Sequence, residues 1–410
     1  MSRLEELIQE LCPDGVEFKR LVSVVNVLYG YPLDSKHFTD DPSFTPLIRI
    51  RDVKPGYSET FYKGEVPDGY IIHKGDILVG MDGEFNLARW NSCDAILNQR
   101  VCKLSSKDET IVLNGYIHHL LAPKFKEIEN SIQGSTVKHL SAKVINNLQI
   151  PVPPLPVQEE IVRILDNFTE LTTELTTELE ARKKQYEYYR DKLLTFDVHG
   201  GGTPECGWKT LGDIIVSLNT GLNPRQFFKL NTDDAYNYYV TIREIQNGTI
   251  VFSKKTDRIN DTALRLCNNR SNLEVGDVLF SGTGTIGETA VVSTPPTNWN
   301  IKEGVYAIKP KKDILNPRYL MYILRTDSLK TAIAKKVAGG TVKSIPMAEM
   351  RKLQIPVPPL DVQKRLVHVL DNFDAICSDL KIGLPAEIEA RQKQYEYYRD
   401  KLLTFKELGA

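Results

Sequence analysis

LQIPVPPLPVQEEIVRILDNF at 148–168 returns as LQIPVPPLDVQKRLVHVLDNF at 353–373, with 15 of 21 positions identical. ARKKQYEYYRDKLLTF at 181–196 returns at 390–405 with one change in 16. Fainter echoes run ahead of these phrases: VEFKRL (16–21) with CGWKTL (206–211), GDILVG (75–80) with GDVLFS (276–281), GSTVK (134–138) with GGTVK (339–343). The 410-residue chain is therefore two tandem copies, roughly 15–196 and 205–405. A self-similarity of this kind decides architecture before any local propensity does. DVHGGGTPE (197–205) lies between the copies, and its glycines and proline mark a flexible joint.

The likeness is uneven. The back third of each copy is nearly one sequence, while the front two-thirds share only punctuation, as expected of one scaffold carrying two different surfaces. The scaffold reads as helix. Prolines close the strand-like IPVPP, Pro156 falls in the first helical turn, and Glu159 and Glu160 face the positive end of the dipole. From Ile161 through Leu165, Phe168, Thr172, Leu175, Leu179, Arg182, Tyr186, Tyr189 and Leu193 to Phe196, the spacings alternate between four and three. That is a coiled-coil seam of about five heptads. A single helix over 157–196 would be about 60 Å long. Residues 172–179 read TTEL twice; Leu171 lies beside the seam, and Leu175 and Leu179 lie in it. In the second copy the seam runs Leu366, Leu370, Phe373, then Tyr395, Tyr398, Leu402 and Phe405. Gly383 and Pro385 should stop and restart that helix. Two such seams in one chain can bury each other.

The front parts mix short alternating strands, such as LIRIRDV (47–53), YIIHKGDILVG (70–80), YVTIREI (239–245) and EGVYAIKP (303–310), with a helical stretch at 317–337. The fold class expected is α+β: two tandem α/β heads separated by two long helices. The boundaries expected are a helical segment 1–21, heads at 22–150 and 206–355, helices at 151–196 and 356–410, and the linker 197–205.

With 41% hydrophobic and 26% charged residues, the composition is that of ordinary globular domains. Apolar runs stop far short of the roughly 18 residues that suggest a membrane span, and the first residues lack a secretory layout. Six scattered cysteines without a CxxC pair suggest reduced thiols and a cytoplasmic setting. Net charge is −1, but residues 22–150 carry 14 Lys/Arg against 15 Asp/Glu, and residues 211–355 carry 20 against 13. The second head could meet phosphate directly; the first needs a local basic face or a partner's charge.

Catalytic motifs do not stand up. GTGTIG (282–287) matches GxGxxG, yet strand-like ETAVVS follows where a dinucleotide site needs a helix. The prolines of IPVPPL lack the flanking Asn/Asp and aromatic of an adenine methyltransferase element. His118 and His119 are adjacent and make a poor metal pair, and no zinc or phosphate-loop spacing appears. No catalytic residue, metal or cofactor is therefore expected. What remains is polar loops suited to DNA. In the first head these are Arg49, Arg51, the loop 81–86 with Asn86, Gln99 and Arg100 beside Asn98, and Thr136, Lys138 and His139. In the second they are Arg243, Ser281, Thr283, Thr285, Asn300, Thr341, Lys343 and Ser344. Arg, Asn and Gln meet base edges with paired hydrogen bonds, while Lys, Ser and Thr suit phosphates. Taken singly, each also fits an ordinary surface or loop-stabilising role. Thr136 with Lys138 and Thr341 with Lys343 stand out because one polar-basic phrase recurs in otherwise divergent heads.

CPDGVEFKRL near the start, the double IPVPPLxVQ, LDNF and the double QYEYYRDKLLTF together resemble the specificity subunits of type I restriction–modification systems, across essentially the whole chain. The resemblance implies target-recognition heads at opposite ends of an antiparallel helix pair, each reading half of a split site in double-stranded DNA. It also implies two docked methyltransferase subunits bearing S-adenosylmethionine chemistry, with restriction subunits joining that core. Helix orientation comes from the resemblance, not from the heptads. Two other readings stay open: the specificity chain of a methyltransferase-only complex, and a stand-alone nucleotide-binding enzyme using 282–287.

Overall fold

Each head rests on two small sheets. The computed structural model describes residues 3–66, 68–132, 138–196, 206–340, 342–378 and 383–409. In the first head six strands matter: β1 (Val25–Tyr29), β2 (Thr45–Ile48), β3 (Ile77–Gly80), β4 (Leu87–Arg89), β5 (Ala95–Leu97) and β6 (Val101–Ser106). β1-β6-β3-β4 form an antiparallel sheet, while β2 and β5 run parallel in the middle of a second. The second head repeats this with β7 (Ile215–Thr220), β8 (Asn237–Val240), β9 (Val278–Ser281), β10 (Thr289–Val291), β11 (Trp299–Ile301) and β12 (Val305–Pro310). Its larger sheets are β7-β12-β9-β10 and one pairing β8 parallel with β11, beside a two-stranded ribbon at 245–250. Strand matches strand, although the two heads share little sequence.

Two compact units result: Met1–Glu174 with Glu389–Ala410, and Leu175–Ile388. This division crosses the duplication. The first unit joins the first head and the start of its own helix to the end of the second copy's helix. The second unit joins the second head and its own helix to the end of the first copy's helix. In each unit a helix start thus pairs with the other copy's helix end, which is antiparallel pairing.

In the first unit Val157, Ile161 and Leu165 of helix Leu155–Leu193 are buried with head residues Tyr116, Ile117 and Leu120, and Tyr395, Leu402 and Phe405 pack onto that core. Phe168 stacks on Tyr398, ring centroids 5.5 Å apart. In the second unit Val367, Leu370 and Cys377 of helix Leu360–Ser378 share a core with Tyr186 and Leu194. There Phe373 stacks on Tyr189 at 6.1 Å, the same pair made in reverse. The seam read from the sequence holds through Phe168, Thr172, Leu175 and Leu179, which are half-buried with Leu171 among exposed neighbours. Beyond them Tyr186, Tyr189, Leu193 and Phe196 continue it, within or against the second unit's core or, for Tyr189, stacked on Phe373. Arg182 is exposed, and Arg190 and Leu194, one turn and two turns after Tyr186, are buried as well. Helix Leu360–Ser378 ends before Gly383, and a second helix, Leu384–Leu402, restarts with Pro385 in its first turn. The linker 197–205 lies outside the described residues.

Why the phrase PPLxVQ is written twice is visible in its glutamine. Gln158 is fully buried; its Oε1 accepts from the Leu113 N–H (3.0 Å), and its Nε2 donates to the carbonyls of Ile111 (2.9 Å) and Pro153 (2.7 Å). Gln363 repeats all three bonds, to the Asn316 N–H and the carbonyls of Ile314 and Pro358. Tyr116 and Tyr319 add matching bonds to the carbonyls of Pro151 and Pro356. The weld between head and helix is the same in both units.

Two turns along, equal positions carry unequal chemistry. Asp166 contacts His119 Nε2 (2.8 Å) and Arg89 (3.4 Å), and His119 Nδ1 reaches the Tyr395 hydroxyl (3.0 Å). Burial pushes the Asp166 carboxyl up, but the His119 hydrogen bond and the Arg89 charge outweigh it and leave the group below the usual range. In the second unit Asp371 instead accepts from the Tyr322 hydroxyl (2.6 Å) and from Arg318 (2.7 Å).

Candidate nucleic-acid interface

LIRIRDV and YVTIREI do not continue as strands. β2 ends at Ile48 and a helical turn, Ile50–Val53, follows; β8 ends at Val240 and a 3-10 turn, Ile242–Glu244, follows. The cause is a buried acid four residues past the strand end. Asp52 accepts from the Arg49 N–H (2.8 Å), and Glu244 accepts from the Thr241 N–H (2.8 Å) and hydroxyl (2.8 Å). Each acid caps its turn and turns the arginine before it outward. Arg51 and Arg243 thus occupy equivalent exposed positions. Arg51 bonds Thr60 (3.0 Å) and Arg243 bonds Asp257 (2.7 Å). Arg49 is exposed, and its guanidinium has no partner among the described residues.

Three further segments meet at the same end of each head. In the first, the Met81 N–H donates to the Arg100 carbonyl, the Gly83 N–H to Lys138 and the Leu140 N–H to Met81, all at 2.7–2.8 Å. In the second, the Gly282 N–H donates to Gly304, the Gly284 N–H to Lys343 and the Ile345 N–H to Gly282, at 2.8–3.0 Å. Lys138 and Lys343 therefore sit at one structural position, as the shared phrase suggests. Thr136 and Thr341 lie outside the described residues. The third segment is the turn entering β6 or β12. Tyr31 bridges Asn98 in parallel as Leu222 bridges Lys302, and both turns close on a left-handed residue, Arg100 (φ 72°) and Gly304 (φ 91°). That conformation strains a side chain, so Arg100 is there at a cost.

In the first head the capped turn after β2 and the turn entering β6 line a concavity of about 530 Å³. Arg49, Arg51, Asn98, Gln99 and Arg100 line it over an apolar floor of Leu33, Phe38 and Ile50. Four candidates picked from sequence thus converge there. Arg100 is held by Asp82 (2.7 Å), whose other oxygen meets His139 Nδ1 (2.5 Å). Asn86 lies outside the concavity and donates to Glu84 (2.9 Å).

The second head redistributes the candidates. Ser281 is buried, accepts from the Glu288 N–H and donates to the Thr285 carbonyl, so it closes the glycine loop. Asn300 is fully buried and bonded to Ser271 and Asn268. Strand register sets Asn300 opposite Tyr239, as Ile96 is opposite Leu47, so it is the counterpart of Ile96 and not of Asn98. The residues equivalent to Asn98-Gln99 are Lys302-Glu303, both exposed, which sequence comparison passed over because nothing in their identity matches. Thr283 bridges Ser344 where Asp82 bridges His139, and Thr285 is exposed.

The glycine loop 282–287 runs between β9 and β10, strand to strand, and offers no helix end to a nucleotide. His118 and His119 do not diverge fully; their rings meet edge-on at 4.9 Å. Burial pushes His118 down to about 3, so it stays neutral, and both nitrogens of His119 are engaged. Among the described residues no cluster of potential metal ligands occurs, and no helix is long and apolar enough to cross a membrane.

The family described as type I restriction modification DNA specificity domain matches residues 13–183 and 205–390, one match per copy. The chain is 30% identical over 418 residues to the type I restriction enzyme EcoR124I/EcoR124II specificity subunit of Escherichia coli, covering 99% of this chain and 97% of that protein. Its fold resembles the crystal structure of a type I restriction–modification S subunit from M. genitalium (TM-score 0.55, 15% identity, 95% of this chain and 96% of that one). It also resembles a chain from a study of complex assembly and conformational transition in the type I system (TM-score 0.58, 16% identity, 96% and 98%).

Proposed function

Because the chain belongs to the type I restriction–modification DNA specificity family, we propose that its two heads, 22–150 and 206–355, each read one half of a split site in double-stranded DNA. The observation that carries this reading is the pair of matched frames. The same four backbone segments recur in both heads, with a cation kept at Arg51/Arg243 and at Lys138/Lys343, while the side chains between them differ. Cations at fixed places suit phosphates, which every site has; differing polar groups suit bases, which differ between half-sites. Arg49, Gln99 and Arg100 line the reading concavity of the first head.

The repeated helical segments dock two methyltransferase subunits, and restriction subunits join through that core. Adenine methylation and cleavage belong to those partners, in the cytoplasm where the DNA is; this chain contributes recognition alone. The test is reconstitution. The purified chain should neither methylate nor cut DNA, and adding a cognate methyltransferase subunit should produce adenine methylation at one split site. Replacing 22–147 by another family member's head should change one half of that site only. Methyl transfer by the chain alone, or a change in both halves, contradicts the reading.

A further inference from the structure

We propose that Glu303 is a specificity-determining residue of the second head and accepts a hydrogen bond from the exocyclic amino group of a base in the major groove. Gln99 is its counterpart in the first head. The inference rests on the DNA-reading role above and deepens it to single residues.

Three observations carry it. The turns are one structure, fixed by the parallel bridges Tyr31–Asn98 and Leu222–Lys302 and by left-handed residues at Arg100 and Gly304. In the first head this turn lines the concavity together with Arg49 and Arg51. And Glu303 is exposed, with no ion-pair partner among the described residues, in a stretch, 211–355, that carries 20 Lys/Arg against 13 Asp/Glu.

A free carboxylate beside Lys302, on the face that carries Arg243 and Lys343, repels phosphate and weakens every non-specific contact. It becomes favourable only where it accepts from a donor, and on base edges in the major groove the donors are the amino groups N4 of cytosine and N6 of adenine. A glutamine in that place presents both an acceptor and a donor, the pattern that meets adenine N6 and N7 together. The two heads therefore use one turn with two hydrogen-bonding codes. Lys302, on the same turn, offsets the acid's charge toward the backbone.

The experiment uses the full chain assembled with its methyltransferase subunit and reads adenine methylation across a genome. Glu303→Gln and Glu303→Ala should each relax or change one position of the second half-site, one that holds cytosine or adenine in the wild-type site, with discrimination there falling on the order of tenfold or more. Which of the two bases occupies that position names the amino group. Gln99→Ala should do the same to one position of the first half-site and leave the second untouched. Both residues are exposed, and thermal melting of each variant checks that the fold is kept. If folded, methylating Glu303 variants keep an unchanged second half-site, or only bind all DNA more tightly, the acid is a repulsive surface charge and the proposal is wrong. A wild-type complex without any fixed split site would instead sink the DNA-reading role on which the proposal rests.

Discussion

Replacing Gln158 by leucine tests the weld between head and helix. The side chain is fully buried and makes three hydrogen bonds, one accepted and two donated. Leucine removes all three and leaves the Leu113 N–H and two carbonyls without their partner. At about 1 kcal/mol net per bond, and more for each group left buried and unpaired, the loss is about 2–4 kcal/mol after the gain from added apolar surface. Against a typical domain stability of about 5–15 kcal/mol that is a large share, and it lowers the melting temperature by roughly 4–16 °C. Glutamate separates the bonds. It can still accept from Leu113 but sets a carboxylate oxygen against the Ile111 and Pro153 carbonyls, so it should damage at least as much as leucine. Thermal or urea denaturation gives the size, and amide exchange at Leu113 gives the place. Gln363→Leu should cost the same, because it breaks the same three bonds in the second unit. A loss below about 1 kcal/mol, or a glutamate variant as stable as wild type, refutes the reasoning.

Lys138→Ala and Lys343→Ala should weaken DNA binding and each flatten the salt dependence by about one unit of slope, measured by titration at several salt concentrations; unchanged slopes would return both lysines to a loop role. Exposed Cys93 should react with a thiol reagent in the native state, whereas Cys102, which burial pushes up to about 12, should react only on unfolding. Inserting one more Thr-Thr-Glu-Leu after Leu179 adds about 6 Å of helix and should lengthen the unread spacer by one or two pairs at ~3.4 Å each, with both half-site sequences kept. A folded, active insertion variant with the original spacer would show that the helix does not set the gap.

The scaffold was open to reading because its important residues recur. Gln158 and Gln363 or Phe168 and Phe373 stand at equal places in near-equal phrases, and heptad spacing located the seam. Of the later positions, Tyr186, Tyr189, Leu193 and Phe196 pack as the heptads place them and only Arg182 does not. That Arg190 is buried too, near Asp327 of the head, is something period alone does not tell. In the heads the strands were found, but their ends were not. The alternation in LIRIRDV looks like a continuing strand until Asp52 is seen to cap the turn. TIRE at 241–244 did carry the signal, a threonine three residues before a glutamate. Asn300 was misplaced because polar identity was matched where strand register decides. The pairing of Asn98-Gln99 with Lys302-Glu303 lies in backbone hydrogen bonds and left no trace in residue type.

The exchange of helix ends explains why the back of each copy has stayed one sequence while the fronts have not. Tyr398 of the second copy stacks on Phe168 of the first, and Tyr189 of the first stacks on Phe373 of the second. Each QYEYYRDKLLTF phrase thus packs in the unit of the other copy's head, so drift in either phrase spoils a contact that its own copy cannot restore. Packing does not account for all of the identity, however. Tyr188 and Tyr397 are about 60% exposed and touch no core, yet they match, as does the run of residues around them. Equal exposed aromatics at equal places on two helices are what two copies of one partner would require. Internal packing fixes the inner face of the phrase, and the proposed pair of methyltransferase subunits supplies the reason for its outer one.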